Sequence, residues 1–128
     1  MTKAAAIYQF WNSFGLTAYE ENSVPDEAAF PYITYQFVTD SFDQEIPLTA
    51  SIWYRSESWT GINAKTEEIS RKISRGGKII PCDGGAIWLK RGQPFAQRMG
   101  DESDVLIKRK YLNSTAEFMT ADCTEGIT

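Results

Sequence analysis

Apolar positions recur along the chain at two different periods, and the changes of period mark the elements. Ile7, Phe10, Trp11 and Phe14 fall at i, i+3, i+4 and i+7, one face of an α-helix. Ala4, Ala5 and Ala6 add propensity, and Gly15 stands where a helix stop belongs, so the pattern predicts a helix over residues 3–14. Leu16–Tyr19 reads as a short strand. Residues 20–31 are polar and proline-containing and read as an acidic loop.

From Tyr32 the period changes to two. Tyr32–Phe42 is rich in aromatic and β-branched residues and predicts a strand. Asp40–Glu45 then turns the chain, and 46–55 returns as the hairpin partner, the tip projecting from the body. Ile46, Leu48, Ala50, Ile52 and Tyr54 share one face of that partner; Thr49, Ser51, Trp53 and Arg55 share the other. The helical period returns over 60–74, with Ile62, Thr66, Ile69 and Ile73 in line. Ser58 or Thr60 is placed to cap this helix, Glu67–Arg71 and Glu68–Lys72 are spaced as ion pairs, and Gly76-Gly77 is placed to end it.

The last third reads as strands. Residues 78–82 and 86–91 flank Asp83-Gly84-Gly85, a hairpin turn signal. Gly92-Gln93-Pro94 predicts a second turn before 95–99, and 100–104 a third before a long strand over 105–119 that carries Val105, Ile107 and Tyr111 on one face. Residues 120–128 read as a frayed tail after a single domain over 1–119. Runs of strands rather than strict βαβ alternation predict an α+β fold: an antiparallel or mixed β-sheet with a long β-hairpin and two α-helices packed on one face.

Composition alters this picture chiefly by removing chemistry. None of the 128 residues is histidine, which takes away imidazole bases, Ser-His-Asp and Cys-His catalysis and most zinc sites. Cys82 and Cys123 stand 41 positions apart without a Cys-x-x-Cys spacing and read as two thiols. Neither glycine pair is followed by a phosphate-loop pattern. Glu20-Glu21, Asp26-Glu27 and Asp101, Glu102 and Asp104 would suit a divalent metal or a two-carboxylate hydrolase, but solvated acidic loops account for them, and no metal or cofactor is expected. No apolar run approaches the ~18 residues of a membrane helix, and the broken apolar start does not suit a signal peptide, so the expectation is a soluble, intracellular, non-enzymatic product.

The net charge of −4 divides unevenly. Residues 1–60 hold two bases and eight acids, whereas 61–128 hold eleven bases and nine acids. Ordinary surface scatter accounts for such a division as well as head-to-tail self-association does, an acidic edge meeting a basic one. The division also admits a small nucleic-acid module using Lys90, Arg91, Arg98, Lys108, Arg109 and Lys110. Four tryptophans are many for one small core; Trp53 lies opposite the apolar face of its strand and Trp59 in a polar stretch, positions that suit protein contacts, with a capping contact onto the second helix the equal alternative for Trp59.

The layout of an amphipathic helix, an acidic Pro-containing loop, Phe30-Pro-Tyr-Ile-Thr-Tyr-Gln-Phe37, a charged hairpin tip, Pro47-Leu-Thr-Ala-Ser-Ile-Trp-Tyr-Arg55 and the helix segment Asn63–Ile73 resembles the tail terminator (tail-completion) proteins of long-tailed bacteriophages and prophages, some labelled minor capsid proteins. The resemblance spans roughly residues 3–119; after Gly77 the chain departs from it with additional meander strands. It implies a virion protein of the tail and neck, assembled in the host cytoplasm. Such a protein forms a homo-oligomeric ring, usually a hexamer, on the head-proximal end of the tail tube. The ring stops tube polymerisation and meets the head–tail connector protein, and genomic DNA passes through its lumen without specific binding; an acidic subunit suits a lumen that must not hold DNA. Another head–tail neck protein is the neighbouring alternative. Under this reading the subunit-interface or lumen residues are Asp40, Asp43 and Glu45 at the hairpin tip, Arg71, Lys72 and Arg75 on the second helix, and Trp53 and Trp59 as anchors.

Overall fold

Thr2 opens the first helix in a computed structural model of the chain, which describes residues 1–38, 45–100 and 103–120. Its hydroxyl accepts the Ala5 N–H at 3.1 Å, and α1 runs Lys3–Trp11. The α-helix is three residues shorter than the periodicity predicts. Asn12 folds back, donating to the Tyr8 carbonyl at 2.9 Å and accepting the Ala18 N–H at 2.9 Å, so Asn12–Phe14 tighten into a 3₁₀ turn. Gly15 then takes φ +79°, the left-handed conformation that a side chain would resist.

Six strands follow: β1 (Thr17–Glu20), β2 (Tyr32–Tyr35), β3 (Glu45–Arg55), β4 (Lys78–Cys82), β5 (Gly85–Gly100) and β6 (Ile107–Thr120), with α2 (Thr60–Ile73) between β3 and β4. They form one mixed sheet in the order β1-β2-β3-β6-β5-β4. β1 and β2 are parallel, and every other neighbouring pair is antiparallel. The fold is therefore α+β, with both helices on one sheet face. The long antiparallel ladders are β3–β6 and β5–β6, not the β2–β3 hairpin, because β2 ends at Tyr35.

The faces of β3 follow the sequence reading. Leu48, Ala50 and Ile52 are buried with Ile33 and Tyr35 of β2, Leu112, Ala116 and Phe118 of β6, and Ile87 and Leu89 of β5. Against them lie Ala6, Ile7, Phe10 and Trp11 of α1 and Ile62, Ile69 and Ile73 of α2. Trp11 stacks on Tyr35, with ring centroids 6.5 Å apart at 17°. On β6 the buried face is the one opposite Ile107 and Tyr111, and Val105 precedes the strand, exposed. The predicted apolar face of this strand is thus corrected: cross-strand partners on β3 and β5, rather than the two bulkiest residues, decide which side is covered.

Other departures are local. Gly92-Gln93-Pro94 does not end a strand; β5 continues through it with a bulge between Arg91 and Ala96, where Asn113 Nδ2 donates to the Pro94 carbonyl at 3.0 Å. The second helix ends at Ile73, with Ser74 rather than a glycine at positive φ, +70°. Ser58 accepts the Thr60 N–H at 3.0 Å from just outside the helix, while Trp59 occupies the cap position. Glu67 does pair with Arg71, at 3.8 Å, but Glu68 pairs with Lys65 at 2.9 Å instead of with Lys72. Lys65 is held there because its ammonium also donates to the Phe14 carbonyl at 2.7 Å. The hairpin at Asp83-Gly84 is formed as predicted, with Gly84 at φ +80°. Thr120 still belongs to β6; the rest of the predicted tail lies outside the described residues.

Candidate interaction surface

The sheet face away from the helices carries the side chains that packing does not use. Register aligns them across strands: Tyr32 is opposite Trp53, Trp53 opposite Arg109, and Arg109 opposite Met99. Because strand side chains alternate, these four share the uncovered face while Ile33 and Ile52 point to the core. The next row brings Tyr19, Thr34, Ser51 and Tyr111 beside them.

The result is a ladder of rings ending in a guanidinium. Tyr32 and Trp53 lie nearly parallel, with centroids 6.1 Å apart at 17°. Tyr19 meets Tyr32 edge-on at 5.9 Å, and Phe30 meets it at 5.2 Å and 49°. Arg109 Cζ lies 4.7 Å from the centroid of the Trp53 ring and 5.4 Å from that of Tyr111. Two hydrogen bonds fix the geometry. Trp53 Nε1 donates to Thr34 Oγ1 at 2.9 Å, and Arg109 Nε donates to Ser51 Oγ at 2.9 Å. Burial, and then the neighbouring Tyr19, push the Tyr32 phenol above its ordinary value. Arg109 has no carboxylate partner among the described residues. Pre-positioned Trp, Tyr and Arg side chains, half exposed, are the composition of protein-contact hot spots.

The other sequence-predicted residues do not join Trp53. Trp59 lies near the helix-side face, under Arg98 Cζ at 4.6 Å and Lys108 Nζ at 5.7 Å. Glu45 is tied within the chain by an ion pair to Lys90, and Asp40 and Asp43 lie outside the described residues. Arg71 is held by Glu67, whereas Lys72 and Arg75 open onto two different clefts, so the three basic residues of the second helix do not make one site. The basic run Lys108-Arg109-Lys110 is divided by alternation. Arg109 goes to the ladder and its neighbours to the other face, where burial and the nearby Arg98 lower the Lys110 pKa. The six candidate nucleic-acid residues consequently do not line up as one stripe.

Sequence reasoning singled out Trp53, and Arg109 only among the nucleic-acid candidates, and did not single out Tyr19, Phe30, Tyr32 or Tyr111 as contact residues. The signal was present in part: Trp53 and Tyr32 each fall opposite a run of apolar positions. What was lacking was the register that sets β2, β3 and β6 side by side. Cys82 lies half-buried at the end of β4, and Cys123 is outside the described residues. Among the described residues no group of three or more Cys, Asp or Glu side chains is placed to hold a metal ion, and no helix is long and apolar enough to cross a membrane. Compared with known proteins, the chain matches no family model and no curated sequence.

Proposed function

We propose that the protein is a tail terminator of a long-tailed phage or prophage: a non-enzymatic ring subunit that closes the head-proximal end of the tail tube and offers a surface to the head–tail connector. The observation that carries this reading is the aromatic–arginine ladder on the uncovered sheet face, a rigid protein-docking surface. In this reading the ladder from Phe30 to Arg109 meets the tube end. The ring is a homo-oligomer, DNA passes through its lumen without specific contacts, and the protein resides in the virion neck after assembly in the host cytoplasm.

The test mixes purified protein with tail-tube subunits and combines mass measurement in solution with electron microscopy. The expected result is a closed oligomer seated on tube ends and tubes that no longer elongate. A chain that stays monomeric in the presence of tubes, and leaves their growth unchanged, overturns the reading. Preferential capture by portal protein over tube protein would move it to another component of the neck.

A further inference from the structure

A cleft of about 510 Å³ opens where the segment after α2 meets the bulge of β5, lined by Arg75, Lys90, Arg91, Gly92, Gln93 and Phe95. Its three charged residues are all cations. Lys90 is already engaged, paired with Glu45 and lying 4.0 Å from the centroid of the Trp88 ring. The two arginines are not. Arg91 is half-buried and its Nη1 donates to a neutral partner, Ser70 Oγ, at 2.8 Å; Arg75 is exposed. Neither has a carboxylate within ion-pair distance among the described residues.

These guanidiniums are not occupied in closing the end of the helix. The carbonyls there already have donors: Ser70 takes the Ser74 N–H at 3.0 Å, Ser74 takes the Gly77 N–H at 3.2 Å, and Gly76 takes Trp88 Nε1 at 2.9 Å. Two like charges at one concavity repel, and a half-buried guanidinium without a counter-charge is costly. Both costs fall when a carboxylate enters, since a guanidinium accommodates carboxylate oxygens bidentately.

The matching anions lie across the sheet. The loop after β1 carries Glu21, Asp26 and Glu27, all exposed and without a cation partner among the described residues. β1 forms one edge of the sheet, and β2, β3 and β6 stand between it and β5. The acidic loop and the basic cleft of one chain are therefore on opposite flanks, arranged for contact between copies. A contact joining two different surfaces of one molecule is heterologous and closes into a ring when its rotation allows.

We propose that the Arg75–Arg91 cleft receives the carboxylates of Glu21, Asp26 and Glu27 from a second copy of the chain. The proposal rests on the ring reading and supplies its lateral contact. The experiment measures assembly of the full chain by mass in solution for four proteins: the unaltered chain, Arg75→Glu, the triple variant Glu21→Lys/Asp26→Lys/Glu27→Lys, and a chain carrying the triple variant together with Arg75→Glu and Arg91→Glu, so that both sides of the contact are reversed. Arg75 is exposed, so its reversal leaves the fold intact, which circular dichroism verifies. The expected result is assembly weakened about tenfold or more in each reversed protein and recovered in the doubly reversed one. If Arg75→Glu assembles like the unaltered chain, the cleft proposal falls and the ring reading stands. If the unaltered chain does not assemble even with tubes, both fall. If assembly is lost but not recovered on double reversal, the loop is not the occupant. A DNA fragment whose binding disappears with Arg75→Glu while assembly persists would reassign the cleft to phosphate.

Discussion

Tyr32, Tyr35 and Tyr54 share a physical signature: burial pushes each phenol above its ordinary value of 10.0. Glu20 and Tyr8 add to the rise at Tyr35, whereas at Tyr54 the ammonium of Lys65 opposes it and Glu68 adds to it. The unfolded chain therefore releases these protons at lower pH than the folded one. Their contribution to stability is complete below 10.0 and is lost as the pH rises through the folded values. Denaturant unfolding at increasing alkalinity, with phenolate absorbance followed in parallel, should show stability falling as these three rings ionise above the ordinary tyrosine value. Lys110 has the opposite sign, since burial and Arg98 lower its pKa from 10.5. Its charged form is disfavoured in the fold, so Lys110→Met is expected to raise the melting temperature at neutral pH. Trp11, 1% exposed and stacked on Tyr35, is core, and Trp11→Ala should cost about 3–5 kcal/mol in the same unfolding measurement. At this scale the sequence was informative where one element decides the environment, as for Trp11 and Ile69. It misled where two strands decide it, as for Arg109, which reads locally as one of a basic run but is drawn to Trp53 lying opposite.

Among the elements, the turn after α2 shows how a backbone position is specified by what lies across from it. Gly77 has φ +90°, and a Cβ built there would stand 2.5 Å from Trp88 Nε1 and 2.8 Å from the Leu89 carbonyl oxygen. Gly76 beside it has open space on the corresponding side. Gly77→Ala should therefore cost about 1–3 kcal/mol from backbone strain, with the collision added. Gly76→Ala should stay within ~0.5 kcal/mol of the parent. Equal losses for the two variants in urea titrations would contradict this geometry. The glycine pair reads locally as the helix stop, a role that Ser74 takes instead, and the chief constraint on Gly77 is the close approach of β5, which no local pattern announces. The same holds for the bulge at Gly92-Gln93-Pro94, which reads locally as a turn but is spanned by β5 because β6 continues alongside it. The period-two face of β3, the helix over 60–73 and the Asp83-Gly84 hairpin were legible because each rests on local periodicity or turn chemistry.

At the scale of the whole molecule, the sheet separates two kinds of surface, and their separation yields the last prediction. The ladder lies on the uncovered face, while the basic cleft and the acidic loop lie on opposite flanks. If lateral assembly uses the flanks and tube contact uses the face, damage to one should spare the other. Trp53→Ala removes the central ring of the ladder together with its bond to Thr34, but leaves Ile33, Ile52 and the helices packed as before. A loss of about 1–2 kcal/mol in folding stability is expected, the worth of a half-exposed aromatic contact and one hydrogen bond. Ring mass should be unchanged, while tail tubes grown with the variant should run past their normal length in electron micrographs. Arg109→Lys is the finer probe, because it keeps the charge and gives up the planar guanidinium that covers Trp53 and Tyr111. It should weaken tube capping in the same direction with less effect on stability. Both variants capping tubes at normal length would remove the ladder from the tube contact and return that role to another face of the subunit.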